Sequence, residues 1–259
     1  MKMKKSVKRV LSFILSAVMV LMLLPIISRP MMVEAEETDQ VVAHTHGAKV
    51  EKCSEHDGWT PISTGEQLGY LCRSGGKGYL TENITVNNNI QIWYGIEVSL
   101  CLNGYSITET SRGEVFGICG TLKLYDEESN SGKITHETQC EGKGVYMDRG
   151  TFIMTGGEIS GNIDDDFGCG VYVEEGTFMM KGGKISDNKC SLIGGYGGGV
   201  FVSEGIFIMM GGEISENTST YGGGVAVLDG TFIMEGGQIS ENWAETNPNI
   251  YIYFIIKEK

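Results

Sequence analysis

From about residue 145 onward, apolar and polar positions alternate in short runs, and the runs return at a near-constant interval. One run reads Val145-Tyr146-Met147, Val171-Tyr172-Val173, Val200-Phe201-Val202 and Val225-Ala226-Val227 in successive copies. Its outer two positions are always aliphatic or Met, while the middle one varies. A second run carries Phe152/Met154, Phe178/Met180, Phe207/Met209 and Phe232/Met234, and a third centres on Ile159, Ile185, Ile214 and Ile239. A period of two over so few residues predicts strands rather than helices. The first glycines of the copies, Gly150, Gly176, Gly205 and Gly230, lie 26, 29 and 25 residues apart. That period belongs to a solenoid.

Paired glycines stand between the second and third runs: Gly156-Gly157, Gly182-Gly183, Gly211-Gly212 and Gly236-Gly237. They predict a sharp corner free of Cβ strain. Three short strands and three bends per turn, stacked in register, make an all-β parallel β-helix. Asn162, Asn188, Asn217 and Asn242 fall in one column and predict a ladder of side-chain amides along the axis. Upstream, "LCLNGYSIT" fits the template without a gap, with Leu100 on Phe152, Leu102 on Met154 and Ile107 on Ile159. "GTLKLYDEESNSGKIT" fits with one insertion, through Leu122, Leu124 and Ile134. Ile250-Tyr251-Ile252 begins a further coil. The expected stack has about six coils and a height of roughly 30 Å.

The chain divides into four parts by composition. Residues 1–35 have a basic start, an apolar run from Val10 to Ile27 and small residues at Val33-Glu34-Ala35, the layout of a secretory signal, with an uncleaved membrane anchor as the competing reading. Residues 36–58 are a polar leader without periodicity. Residues 59–97 are expected to form an N-terminal cap and the lead-in to the first coil. Within them "TPISTGEQLGYLCRS" predicts a short helix with Ser63 or Thr64 as N-cap and Glu66 in its first turn. Tyr79, Leu80, Ile84 and Val86 lead into the stack. Residues 98–259 are the coils. Tyr251 to Ile256 are then an exposed edge prone to edge-to-edge self-association.

Charge narrows the partners. Cleavage after Ala35 removes six of 20 basic residues and one of 33 acidic ones, leaving a net charge of −18. Such a surface repels nucleic acid and anionic lipid. No second long apolar run follows the signal, so no membrane span is expected in the mature chain. The seven cysteines form no regular disulfide framework. Cys169 and Cys190 fall in the variable bends of adjacent coils, and a bridge there requires Cα atoms within ~7 Å.

Candidate chemistry concentrates at one bend. Between the ladder Asn and the next Val run, successive coils carry "IDDDFGCG", "KCSLIGGYGGG" and "TSTYGGG". Insertions concentrate there, and solenoids place binding loops at such an edge. Asp164, Asp165 and Asp166 offer the oxygen ligands that Ca²⁺ takes, without EF-hand spacing. Tyr196 and Tyr221 offer rings for sugar stacking, and Tyr146, Tyr172 and Phe201 form an outward aromatic column. His44, His46, Cys53 and His56 supply the donor types of a tetrahedral Zn²⁺ site. No other cofactor is expected. Asp148-Arg149, the lone Asp-Arg pair of the repeats, is the candidate for polysaccharide-cleaving chemistry, but neighbouring coils replace it with Glu174-Glu175, Ser203-Glu204 and Leu228-Asp229. No catalytic residue is assigned.

The pattern "GGxISxN" followed by "GGGVxV" resembles the right-handed parallel β-helix repeats of bacterial surface proteins, in the pectin-lyase-like superfold. The likeness runs from Val98 to Ile252. "LCLNGYSIT" and "GKIT" also look like the first coils of large secreted proteins of gut Firmicutes. A more distant likeness is to the GG-and-Asn repeats of chlamydial polymorphic membrane proteins. The resemblance implies a secreted or cell-surface, adhesin-like protein that presents its bend loops to a glycan or host protein. The same superfold hosts carbohydrate-active lyases and glycosidases, the alternative reading. A third is a truncated remnant of a larger surface protein.

Overall fold

The computed structural model describes residues 40–42, 56–126, 131–191 and 193–253. It is an all-β parallel solenoid. One sheet runs through seven strands in strict chain order: Ile90–Ile92, Phe116–Ile118, Val145–Met147, Val171–Val173, Val200–Val202, Val225–Leu228 and Ile250–Tyr253. Each belongs to one winding, so there are seven windings where repeat counting predicts about six. The additional one is built from Gly76–Leu80, Ile84–Val86 and Ile90–Ile92. It lacks the paired glycines, and its Asn87, three residues after Ile84, is exposed rather than buried in the ladder, so its alternating apolar positions are what betray it.

The other two strand families share a 14-stranded sheet. In the early windings they are separate strands, such as Thr151–Met154 and Glu158–Ser160. In the last two they merge into ten-residue strands, Ile206–Ser215 and Thr231–Ser240, with a register shift at the glycine corner. The second glycine of each repeated pair has positive φ, between 81° and 92°. The corner thus requires glycine. A third, four-stranded sheet occupies the bend after the Asn column: Ile163–Asp164, Lys189–Cys190, Thr218–Tyr221 and Trp243–Thr246. The sequence reads this segment as loop, because none of these strands repeats its neighbours' residues.

Register places like on like. Phe152, Phe178, Phe207 and Phe232 pair in succession, with ring centroids 4.9, 4.7 and 5.0 Å apart and planes within 17°. The first three are wholly buried, and the interior is a continuous column of Val, Ile, Leu, Phe and Met. The Asn column forms its predicted ladder. Each Nδ2 donates to the next Oδ1 at 2.9–3.0 Å, from Asn162 to Asn188, Asn217 and Asn242. Each backbone N–H donates to that same oxygen. His136 Nδ1 meets Asn162 Oδ1 at one end, and Asn242 donates to Asn249 Oδ1 at the other.

One alignment is corrected. Phe152 pairs with Leu122 and hence with Val98, while Met154 pairs with Leu124 and hence with Leu100. The gapless fit of "LCLNGYSIT" was therefore two residues out of step in its first half, although Ile107, Ile134 and Ile159 do share a column. A slip of two preserves the inward phase of a strand, so alternation cannot detect it. Leu102 sits instead in the corner, where a Cβ on Gly132 would lie 2.6 Å from its own Cβ.

The helix spans Gly65–Ser74, with Thr64 as N-cap accepting from Gln67 N. Ser63 N–H donates back to the Gln67 side chain at 2.8 Å. Leu68, Leu71 and Cys72 are buried in the same core as the windings. Burial pushes the Cys72 thiol up to about 12. At the far end, Gln40–Val42 pairs antiparallel with Gln238–Ser240. Of the expected edge, Phe254, Ile255 and Ile256 lie outside the described residues, and Tyr251 is buried rather than exposed. No helix among the described residues is long and apolar enough to cross a membrane.

Candidate functional site

The variable bends gather into one aromatic ridge on the outer face of the seven-stranded sheet. Tyr196 and Tyr221 stack at 4.7 Å with an interplanar angle of 20°. Tyr251 lies 5.3 Å from Tyr221, and Phe167 lies 5.6 Å from Tyr196. Beneath them run Tyr172, Phe201 and Ala226, the outward column of the sheet. Phe201, Ala226 and Tyr251 form a second, smaller apolar core outside the solenoid, separate from the axial one. Sequence reading names Tyr196 and Tyr221 but misses Phe167 and Tyr251. The signal was present for Tyr251, which stands in the column of Tyr146, Tyr172 and Phe201.

Glycine lets each bend press back onto the sheet. Gly197 and Gly222 have φ of 61° and 59°, and a Cβ on either would lie 2.3 Å from the carbonyl oxygen of Val200 or Val225. The Tyr-Gly-Gly-Gly runs therefore fix where Tyr196 and Tyr221 sit. A disulfide, Cys169–Cys190, ties the two variable bends together with Cα atoms 5.5 Å apart. This meets the distance condition set for the pair.

The arrangement alters the chemistry expected of the rings. Tyr196 and Tyr221 cover one face of each other, and the remaining rings meet tilted or edge-on, so the ridge offers edges and hydroxyls as well as ring faces. Burial raises the Tyr196 and Tyr251 phenols above their ordinary range, and neighbouring tyrosines push in the same direction. Tyr172 is raised by burial and then by Glu174, and the Tyr146 hydroxyl donates to Glu174. All are neutral hydrogen-bonding phenols at physiological pH. Ile193, at the tip of the adjoining bend, is 92% exposed.

The three aspartates divide. Asp164 is half-buried and pairs with Lys143 of the preceding winding at 3.1 Å, while its Oδ1 also accepts from Asp166 N. It anchors the bend. Asp165 and Asp166 are exposed beside Phe167. Among the described residues, no cluster of three or more His, Cys, Asp or Glu has metal-binding geometry. His44, His46 and Cys53 lie outside the described residues. His56 stacks on Tyr79 at 4.0 Å.

Asp148 and Arg149 do not resemble an acid–base pair. Arg149 Nε binds Glu175 at 3.0 Å and lies 4.0 Å from Asp148. The Glu175 contact raises the Arg149 pKa, the reverse of what a general base needs. Asp148 in turn receives the Cys119 thiol.

No family model matches the sequence, and neither a curated protein nor a solved structure matches it.

Proposed function

We propose that this chain is a secreted, adhesin-like binding protein, a right-handed member of the pectin-lyase-like superfold, that presents its bend ridge to a glycan or host protein. The observation that carries the reading is the ridge itself. Residues from three bends and the last strand of the seven-stranded sheet, distant in sequence, converge as Phe167, Tyr196, Tyr221 and Tyr251. They lie beside exposed Asp165, Asp166 and Ile193. Tyrosine suits recognition because one side chain provides both apolar contact and a hydroxyl at small entropic cost. The Cys169–Cys190 bridge supports an oxidising compartment, where such bonds persist. The net charge of the mature chain favours neutral or basic partners.

Because the rings pack on one another, alanine would damage the fold as well as the ligand contact. The decisive variant is Tyr196→Phe with Tyr221→Phe, which deletes only the hydroxyls. Binding of residues 36–259 to an array of glycans and extracellular-matrix proteins should fall at least about tenfold in this variant. Addition of Asp165→Asn and Asp166→Asn should weaken it further. Unchanged binding by the quadruple variant would sink the proposal.

A further inference from the structure

A second site lies at the opposite end of the stack, where the outward aromatic column stops. Read through the registered pairs, that column runs Tyr251, Ala226, Phe201, Tyr172, Tyr146, Gly117, Gln91. Gly117 has no side chain, and Gln91 takes the vacated space. A Cβ on Gly117 would lie 2.2 Å from the Gln91 amide. Gln91 Nε2 also donates to Glu114 Oε1 at 2.7 Å, which fixes the amide's orientation. Asn89 is seated likewise, since a Cβ on Gly113 would come within 2.7 Å of its Oδ1.

These amides line a groove of about 550 Å³ between the helix Gly65–Ser74 and residues 85–93. That is within the usual size of a small-ligand site. The groove closes at its base because Gly65 approaches the strand Ile84–Val86. A Cβ there would meet Val86 Cγ1 at 2.9 Å. Trp93 lines one lip and is 57% exposed. It begins a tight turn in which Ile96 N donates to Trp93 O at 3.0 Å and Gly95 takes φ of 80°. Arg73 lines the other lip, folded over Gly69 with Nη1 3.1 Å from where a Cβ would stand. It makes no ion pair among the described residues.

We infer that this groove is a binding site for a neutral oligosaccharide. The exposed indole supplies an apolar face for the C–H face of a sugar ring. The amides of Asn87, Asn88, Asn89 and Gln91 supply donors and acceptors for hydroxyls. Arg73 and Glu66, the charged residues of the lining, cancel. Hydroxyls rather than net charge are therefore recognised. This site is independent of the bend ridge and rests on different residues.

The test is calorimetric titration of residues 36–259 with cello-, xylo-, manno- and galacto-oligosaccharides of four to six units, alongside an oligogalacturonate. At least one neutral series should bind, and its affinity should change less than about twofold between low and high salt. Trp93→Ala, on an exposed turn, should weaken it at least about tenfold. Gly117→Ala should weaken it through the displaced Gln91. Trp243→Ala, exposed on the other end, should leave it unchanged. Silence from all four neutral series, preference for the uronate, or equal losses from Trp93→Ala and Trp243→Ala would each overturn the inference.

Discussion

The windings from Val145 to Asn242 and those from Gly76 to His136 use one backbone plan with opposite sequence strategies. In the later windings each position repeats its neighbour. Phenylalanine stacks on phenylalanine, amide bonds to amide, and the outward column is aromatic from Tyr146 to Phe201. In the earlier windings the same inward column holds Val98 and Leu122, and the outward one holds Gln91 and Gly117. Repetition fills space completely, because a side chain that fits one level fits the next. Departure from repetition is what opens a groove. The later windings are thus mainly repeated scaffold that varies at its bends, while the earlier ones free part of a sheet face for polar groups.

The sharpest way to break this comparison is to remove one side chain from the same inward column in each region. Phe178→Ala should cost about 4 kcal/mol, because its ring contacts Phe152 and Phe207 on both sides. Leu122→Ala should cost about 3 kcal/mol, from a smaller cavity and no stacked ring. Equilibrium urea unfolding gives both values, and equal losses would remove the claimed advantage of like-on-like packing.

The ladder provides a second probe. Asn188→Ala deletes donors to Ile159 O and Asn217 Oδ1 and the acceptor used by Asn162. Leaving those buried groups unpaired should cost about 2 kcal/mol. Amide exchange should accelerate at Asn162 and Asn188 before it does in the first windings. Uniform exchange along the stack would contradict the nearest-neighbour picture of its stability.

The smallest effect concerns the ridge. Tyr172, Tyr196 and Tyr251 titrate above the ordinary phenol range in the fold. Their contribution to stability is full below the unfolded value near pH ~10 and is lost as pH rises through the folded values. Thermal stability should therefore decline in alkali, less steeply once Tyr196 and Tyr251 are replaced by Phe. A decline unaffected by these replacements would place the sensitive groups elsewhere.

Legibility followed the same division. The Phe and Asn columns, the glycine corners and the Thr64-capped helix could all be read from spacing, because each repeats or follows a local rule. The bridge between Cys169 and Cys190 could be posed as a distance condition. The two-residue slip at Leu100 could not be seen, since period two hides it. Nor could the winding from Gly76 to Ile92 be counted from repeats it does not carry.

The chain by itself determined which side chains turn inward, because alternation fixes the face of a strand and repetition fixes its neighbours. Only the tertiary structure decided which unlike residues meet. Asp164 reaches Lys143 rather than a cation, the tyrosine faces close on one another, and Gln91 settles over Gly117. Such meetings depend on the lengths and directions of bends, and these vary from winding to winding without a periodic trace.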